Sequence, residues 1–227
     1  MTSIAPSAGV AIQVLIMLAG LVLGLGQVGA QTAQAPRTII VFGDSITAGG
    51  ALPEKDRDQL WLRVIESASQ GRCKLVNEGK GGRPTASRPD FDAMLARQPQ
   101  ADRLVIALGM NDSRDITDQC VPLAVANVRY MVERARQAYG AKLPVLLVGP
   151  SNINKAALGA TKPIANEREG KLRELGEAFA ALAKETGCDF VSLFGVVPDS
   201  SLTKDGVHPD ASGNAAIAAV LKTKLLP

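Results

Sequence analysis

Aromatic residues are scarce in this chain: five Phe, two Tyr and one Trp make up 4% of 227 residues. A surface that stacks single-stranded bases needs several exposed rings, so that class of binder is disfavoured. Charge of one sign is not concentrated anywhere. The 25 basic and 22 acidic residues are interspersed and leave a net charge of +3, whereas a phosphate-tracking face requires clustered Lys and Arg. No nucleic-acid partner is expected. Histidine is rarer still, a single residue at position 208, and cysteine occurs only at 73, 120 and 188. No two cysteines have the spacing of metal ligands, and an odd number leaves at least one thiol unpaired within the chain.

Charged side chains are missing altogether from Met1 to Gln34, and Val10–Val28 is almost unbroken apolar sequence. Val28-Gly29-Ala30 supplies the small residues of a cleavage site ahead of Gln31. Residues 1–30 are therefore predicted to be a secretory signal peptide. The alternative is an uncleaved N-terminal anchor, because the run approaches the roughly 18–20 residues that cross a bilayer. Residues 31–36 read as a linker, and 37–227 as one domain of a size that buries its own core. Either fate of the leader places that domain outside the cytoplasm, periplasmic or extracellular. Membrane association is expected only if the leader is retained.

From Pro36 onward short β-branched runs alternate with helical patterns. Strands are predicted at Thr38–Gly43, Lys74–Asn77, Arg103–Leu108, Pro144–Val148 and Phe190–Leu193. Helical spacing falls at Gln59–Gln70, Phe91–Arg97, Leu123–Tyr139, Pro163–Thr186 and Ala211–Lys224, the last with Asp210 as its N-cap. Strands of this length separated by helices imply βαβ units, hence a parallel sheet covered on both faces. The expected fold is α/β, a flavodoxin-like three-layer αβα sandwich on a five-stranded parallel sheet of order 2-1-3-4-5. Ser151–Pro163 reads as a mobile loop. Cys73 and Cys188 precede the second and fifth strands at the bottom of this sheet, and Cys120 follows the third at the top. A bridge needs Cα atoms within about 7 Å, so no intrachain disulfide is expected.

In an open α/β sheet the ligand site lies beyond the carboxyl ends of the strands. Four polar or glycine-marked clusters fall there: Gly43-Asp44-Ser45, Asn77-Glu78-Gly79-Lys80-Gly81-Gly82-Arg83, Gly109-Met110-Asn111-Asp112 and Asp205-Gly206-Val207-His208-Pro209. A serine hydroxyl is a weak nucleophile until a base takes its proton, and imidazole titrates in the right range. The imidazole needs a carboxylate on its other nitrogen, and Asp205 stands three residues from His208. The backbone N–H groups of Ser45 and Gly82 and the side-chain amide of Asn111 are candidates to receive an oxyanion.

These clusters, in this order, resemble the four signature blocks of the SGNH (GDSL) hydrolases over residue 38 to the C-terminus. The second block is most similar to that of the arylesterase/acyltransferase branch, although Lys80 stands where an apolar residue is commoner. The resemblance implies Ser45 as nucleophile, His208 as base, Asp205 as its partner, and Ser45, Gly82 and Asn111 as the oxyanion hole. The choice of Gly82 rests on the block alignment. Neither metal nor cofactor is implied.

Each residue also has a plainer role. Ser45 could cap a helical turn, Asn111 could shape an ordinary turn, and Asp44 reads as structural through backbone contacts. Asp112 and Arg114 read as solvated loop charges. Arg83 either touches substrate or pairs with a neighbour, and Trp61 packs on the core side of its helix. The expected function is hydrolysis of short-chain acyl esters, acetylated carbohydrates among them, through an acyl-enzyme. The alternatives are a lysophospholipase or thioesterase of the same family, a non-catalytic ligand-binding module of flavodoxin-like fold, and a domain that has lost catalysis. Pocket walls are expected from the loops at 49–58, 84–92, 112–122 and 151–163.

Overall fold

The computed structural model describes residues 1–2, 35–159 and 162–226. The predicted leader and linker lie outside these residues apart from Met1, Thr2, Ala35 and Pro36. Among the described residues no helix is long and apolar enough to cross a membrane. The chain divides into Met1–Ala33 and Gln34–Pro227, and the fold is that of the second unit.

Five parallel strands form one sheet: β1 (Arg37–Gly43), β2 (Cys73–Gly79), β3 (Arg103–Ala107), β4 (Val145–Gly149) and β5 (Asp189–Ser192). Their order is β2-β1-β3-β4-β5, as the alternating pattern predicts. Successive β1 side chains serve opposite faces. Ile39 and Val41 pack with Leu75, Val105 and Leu146 on one side, and Ile40 and Phe42 pack with Leu104, Ile106 and Leu147 on the other. A strand apolar on both faces needs helices over both. Helices α2 (Trp61–Ala68) and α6 (Ala211–Leu225) cover the first face, with Trp61 buried as expected. Helices α3 (Arg88–Arg97), α4 (Cys120–Tyr139) and α5 (Ala165–Thr186) cover the second.

The register brings the carboxyl ends of three strands level, with Gly43 opposite Gly79 on one side and Ala107 on the other. β2 runs two residues beyond its predicted end because Glu78 and Gly79 stay paired with Phe42 and Gly43. α4 begins three residues early, at Cys120, where the buried stripe Cys120, Ala124, Val128 and Met131 starts. The stretch after β4 holds no helix or strand through Gly159, yet it is tied down. Asn152 donates to the Val197 carbonyl at 2.8 Å and accepts from the Gly195 N–H at 3.1 Å, and Ile153 and Leu158 are buried. All three cysteines are free thiols.

Candidate active site

At the end of β1 the chain turns from strand to helix within one residue. Asp44 is extended and its carboxylate accepts the Ile46 N–H at 3.0 Å, capping the four-residue helix α1 (Ser45–Ala48). Asp44, rather than Ser45, is thus the cap, in keeping with its structural reading. Ser45 becomes the first helical residue, half-buried on the rim, with a backbone N–H that has no intrahelical acceptor. The turn is tight: a Cβ at Gly43 would stand 2.1 Å from Thr47 Oγ1. Burial pushes the Asp44 carboxyl up to about 7, against the pull of the Ile46 N–H and the charge of His208.

The second component comes from the far end of the chain. Asp205 Oδ1 accepts from the N–H groups of Val207 and His208 at 2.9 and 3.0 Å, and from Thr203 Oγ1 at 3.0 Å. Its Oδ2 lies 2.5 Å from His208 Nδ1. Partial burial raises the Asp205 carboxyl, but the bonds from the His208 backbone and ring outweigh it and leave the group well below the usual carboxylate range. The ionised carboxylate holds the proton of the ring on Nδ1, which leaves Nε2 to accept. Nε2 lies 2.8 Å from Ser45 Oγ. Gly206 makes the turn possible. Its φ is +70°, and any Cβ there would stand 2.5 Å from the Asn154 carbonyl, while its own carbonyl accepts the Asn154 N–H at 2.8 Å. The loop after β4 therefore braces the histidine turn.

The remaining predicted residues lie on the loops after β2 and β3. Gly82 is exposed with φ +73°. The Asn111 amide donates to the Arg83 carbonyl at 3.1 Å, which orients it and leaves its second N–H unspent. Arg83 resolves as a clamp. Its buried guanidinium donates to the carbonyls of Gly43 (2.7 Å) and Glu78, and lies 4.0 Å over the Phe42 ring. Lys80 projects to solvent and pairs with Asp90 at 2.9 Å, so the loop needs no apolar residue there.

Two charges depart from the sequence reading or escaped it. Asp112 is not a solvated loop charge. Its carboxylate is half-buried and accepts from both the N–H and the hydroxyl of Thr85. Burial raises it above its ordinary range, and the Thr85 bonds act against that shift. Arg114 is exposed as expected. Arg168 on α5 is buried and donates to Ser113 Oγ at 3.1 Å and the Met110 carbonyl at 3.4 Å, bracing the β3 loop from below. Its signal was its phase: Ala165, Arg168, Leu172, Leu175 and Phe179 share one buried stripe.

Residues 41–216 match the GDSL-like lipase/acylhydrolase family. Among curated proteins the chain is similar to an uncharacterised lipoprotein, YqeF, of Bacillus subtilis, 29% identical over 117 residues. That match covers 48% of this chain and 46% of the relative, so the chain spans about half the length of the curated protein it matches. Among solved structures it is similar to a carbohydrate acetylesterase family member from Sinorhizobium meliloti, with TM-score 0.69, 22% identity and coverage of 83% of this chain and 97% of that one. It is also similar to the aryl esterase of M. smegmatis, with TM-score 0.66, 22% identity and coverage of 83% and 98%. These two likenesses bear on the fold. With the family match extending over most of the domain, the chain belongs to the GDSL-like lipase/acylhydrolase family.

Proposed function

We propose that the protein is a serine esterase acting on short acyl esters, with acetylated carbohydrates as the favoured class, through an acyl-enzyme. The observation that carries this reading is the continuous chain of contacts Ser45 Oγ, His208 and Asp205, at 2.8 and 2.5 Å. As Ser45 Oγ attacks the ester carbonyl carbon, its proton passes to His208 Nε2, and Asp205 balances the imidazolium. The carbonyl oxygen becomes an oxyanion held by the N–H groups of Ser45 and Gly82 and the Asn111 amide. Collapse breaks the bond to the alcohol oxygen, which takes the proton from His208. Water then gives a proton to His208 and attacks the acyl-enzyme, and the acid departs as Ser45 recovers its proton.

Short acyl groups are favoured by the family resemblance and by the acetylesterase named among the similar structures. A cleft of about 450 Å³ beside Asn111, lined by polar residues such as Thr85, Asp112 and Asn127 and by apolar ones such as Pro84, Leu123 and Ala124, offers both kinds of contact to an acylated sugar. The apolar, charge-free leader, and a relative named as a lipoprotein, support export of the domain from the cytoplasm.

Hydrolysis of a short activated ester by the wild type and by Ser45→Ala tests the mechanism. The expected loss is several orders of magnitude with the fold retained, and equal rates refute it. On a panel of acyl lengths and sugar acetates, rates are expected to fall as the chain grows. A rate that climbs with chain length would instead favour a lysophospholipase or thioesterase.

A further inference from the structure

We propose that Asp112 is a positioning residue that fixes the spacing of the oxyanion hole. This rests on the reading above, in which Gly82 and Asn111 are two of the donors. Those donors sit on separate loops, one after β2 and one after β3. An oxyanion hole works only if its donors are held in place before charge develops. Two ties join the loops. In the first, Asn111 Nδ2 donates to the Arg83 carbonyl at 3.1 Å, so this tie uses a reacting group. The second leaves the reacting groups free: Asp112 Oδ1 and Oδ2 accept the Thr85 N–H at 3.0 and 3.1 Å, and Oδ1 accepts the Thr85 hydroxyl at 2.5 Å.

Both ties fall within three residues after Gly82, on either side of Pro84, whose ring fixes φ. The loop from the glycine to Thr85 is thereby pinned at both its carbonyl and its amide. Thr85 is fully buried and Asp112 half-buried. The other end is anchored too. The Asp112 carbonyl accepts the Asp115 N–H at 2.9 Å, and Cys120 Sγ at the start of α4 lies 3.3 Å from it. Position is thus passed from α4 through Asp112 to the glycine loop. A carboxylate withdrawn in part from water must replace the lost contacts with bonds of its own, and the side-chain bonds of this half-buried one go to Thr85 of the opposite loop.

A double-mutant cycle tests this. Asp112→Asn places an amide NH₂ where an acceptor faced the Thr85 N–H or hydroxyl. It is expected to lower kcat on a short activated ester by about 10- to 100-fold with KM within about threefold. Thr85→Val, which keeps the N–H tie and loses the hydroxyl, is expected to lower kcat by about 3- to 10-fold, and Thr85→Ser to recover most of it. In an Asn111→Ala background, where the hole is already broken, Asp112→Asn is expected to cost less than about threefold. The same fold-loss in both backgrounds, a loss carried by KM, or Thr85→Ser as poor as Thr85→Val overturns the proposal. If Asp112→Asn does not fold, Thr85→Val in the two backgrounds gives the same cycle with the same opposing outcomes. Failure of the wild type to hydrolyse the ester in a Ser45-dependent way would count against the esterase reading instead.

Discussion

A carboxyl sealed beneath the candidate nucleophile gives the folded chain a pH dependence of its own. Asp44 is fully buried, and its folded value of about 7 lies above its ordinary value of 3.8. Between those values the native state keeps a proton that the unfolded chain releases, so stability falls as pH rises from about 4 to 7. The difference corresponds to about 4 kcal/mol. Asp44→Asn keeps an oxygen for the Ile46 N–H and cannot ionise. It is expected to melt above the wild type at pH 8 and close to it at pH 4.5, and a difference in Tm that ignores pH would contradict this. Asp205 acts in another window. Its folded value lies below the ordinary one, so the stability it contributes is present above about pH 4 and is lost on further acidification. At this scale the meeting of Ser45, His208 and Asp205 was legible because each carries chemistry that few residue types supply, at marked turns. Asp112 and Arg168 were not: a charge reads as solvated until the neighbours that bury it are known. Thr85 is 27 residues from Asp112, and Ser113 is 55 from Arg168.

At the scale of elements, the site depends on how closely β2 approaches α1. A Cβ on Gly79 would stand 2.3 Å from the Ala48 nitrogen and 2.7 Å from the Thr47 carbonyl carbon. These are backbone atoms, so strand or helix must shift. Asn77 locks the approach, donating to the Thr47 carbonyl at 3.0 Å and accepting from the Gly79 N–H at 2.8 Å. Gly79→Ala is expected to cost about 1–3 kcal/mol of stability and, by displacing Ser45, about tenfold or more in kcat. Gly81→Ala, where a Cβ would meet nothing within 4 Å, is expected to leave Tm unchanged. Thermal melts of the pair check this, and equal melting temperatures would contradict it. The five strands and the helices α2 to α6 were legible as periods of burial; the single turn of α1 was not. Their ends were less so: β2 is prolonged by pairing with β1, and the loop after β4 is held by Gly195 and Val197, more than 40 residues away.

Over the whole domain, sequence separation between the candidate catalytic groups is closed by packing. Ser45 and His208 lie 163 residues apart, on opposite ends of the chain. The turn carrying His208 runs into α6, whose Asn214 is buried and accepts the Trp61 N–H of α2 at 3.2 Å while donating to the carbonyls of Pro209 and Asp210. That side chain fastens the histidine turn to the helix that follows the nucleophile. The sheet order was legible because βαβ crossovers leave few alternatives. The Asn214 tie was not, since a polar residue inside a helix gives no sign of its distant partner.

Activation of one hydroxyl by this closure is read out by covalent labelling. After exposure to an organophosphate, peptide mass spectrometry is expected to find a single adduct on Ser45. In His208→Gln, with the fold intact, labelling is expected to slow by about 100-fold or more. An adduct elsewhere, or a labelling rate indifferent to the loss of His208, would contradict the account.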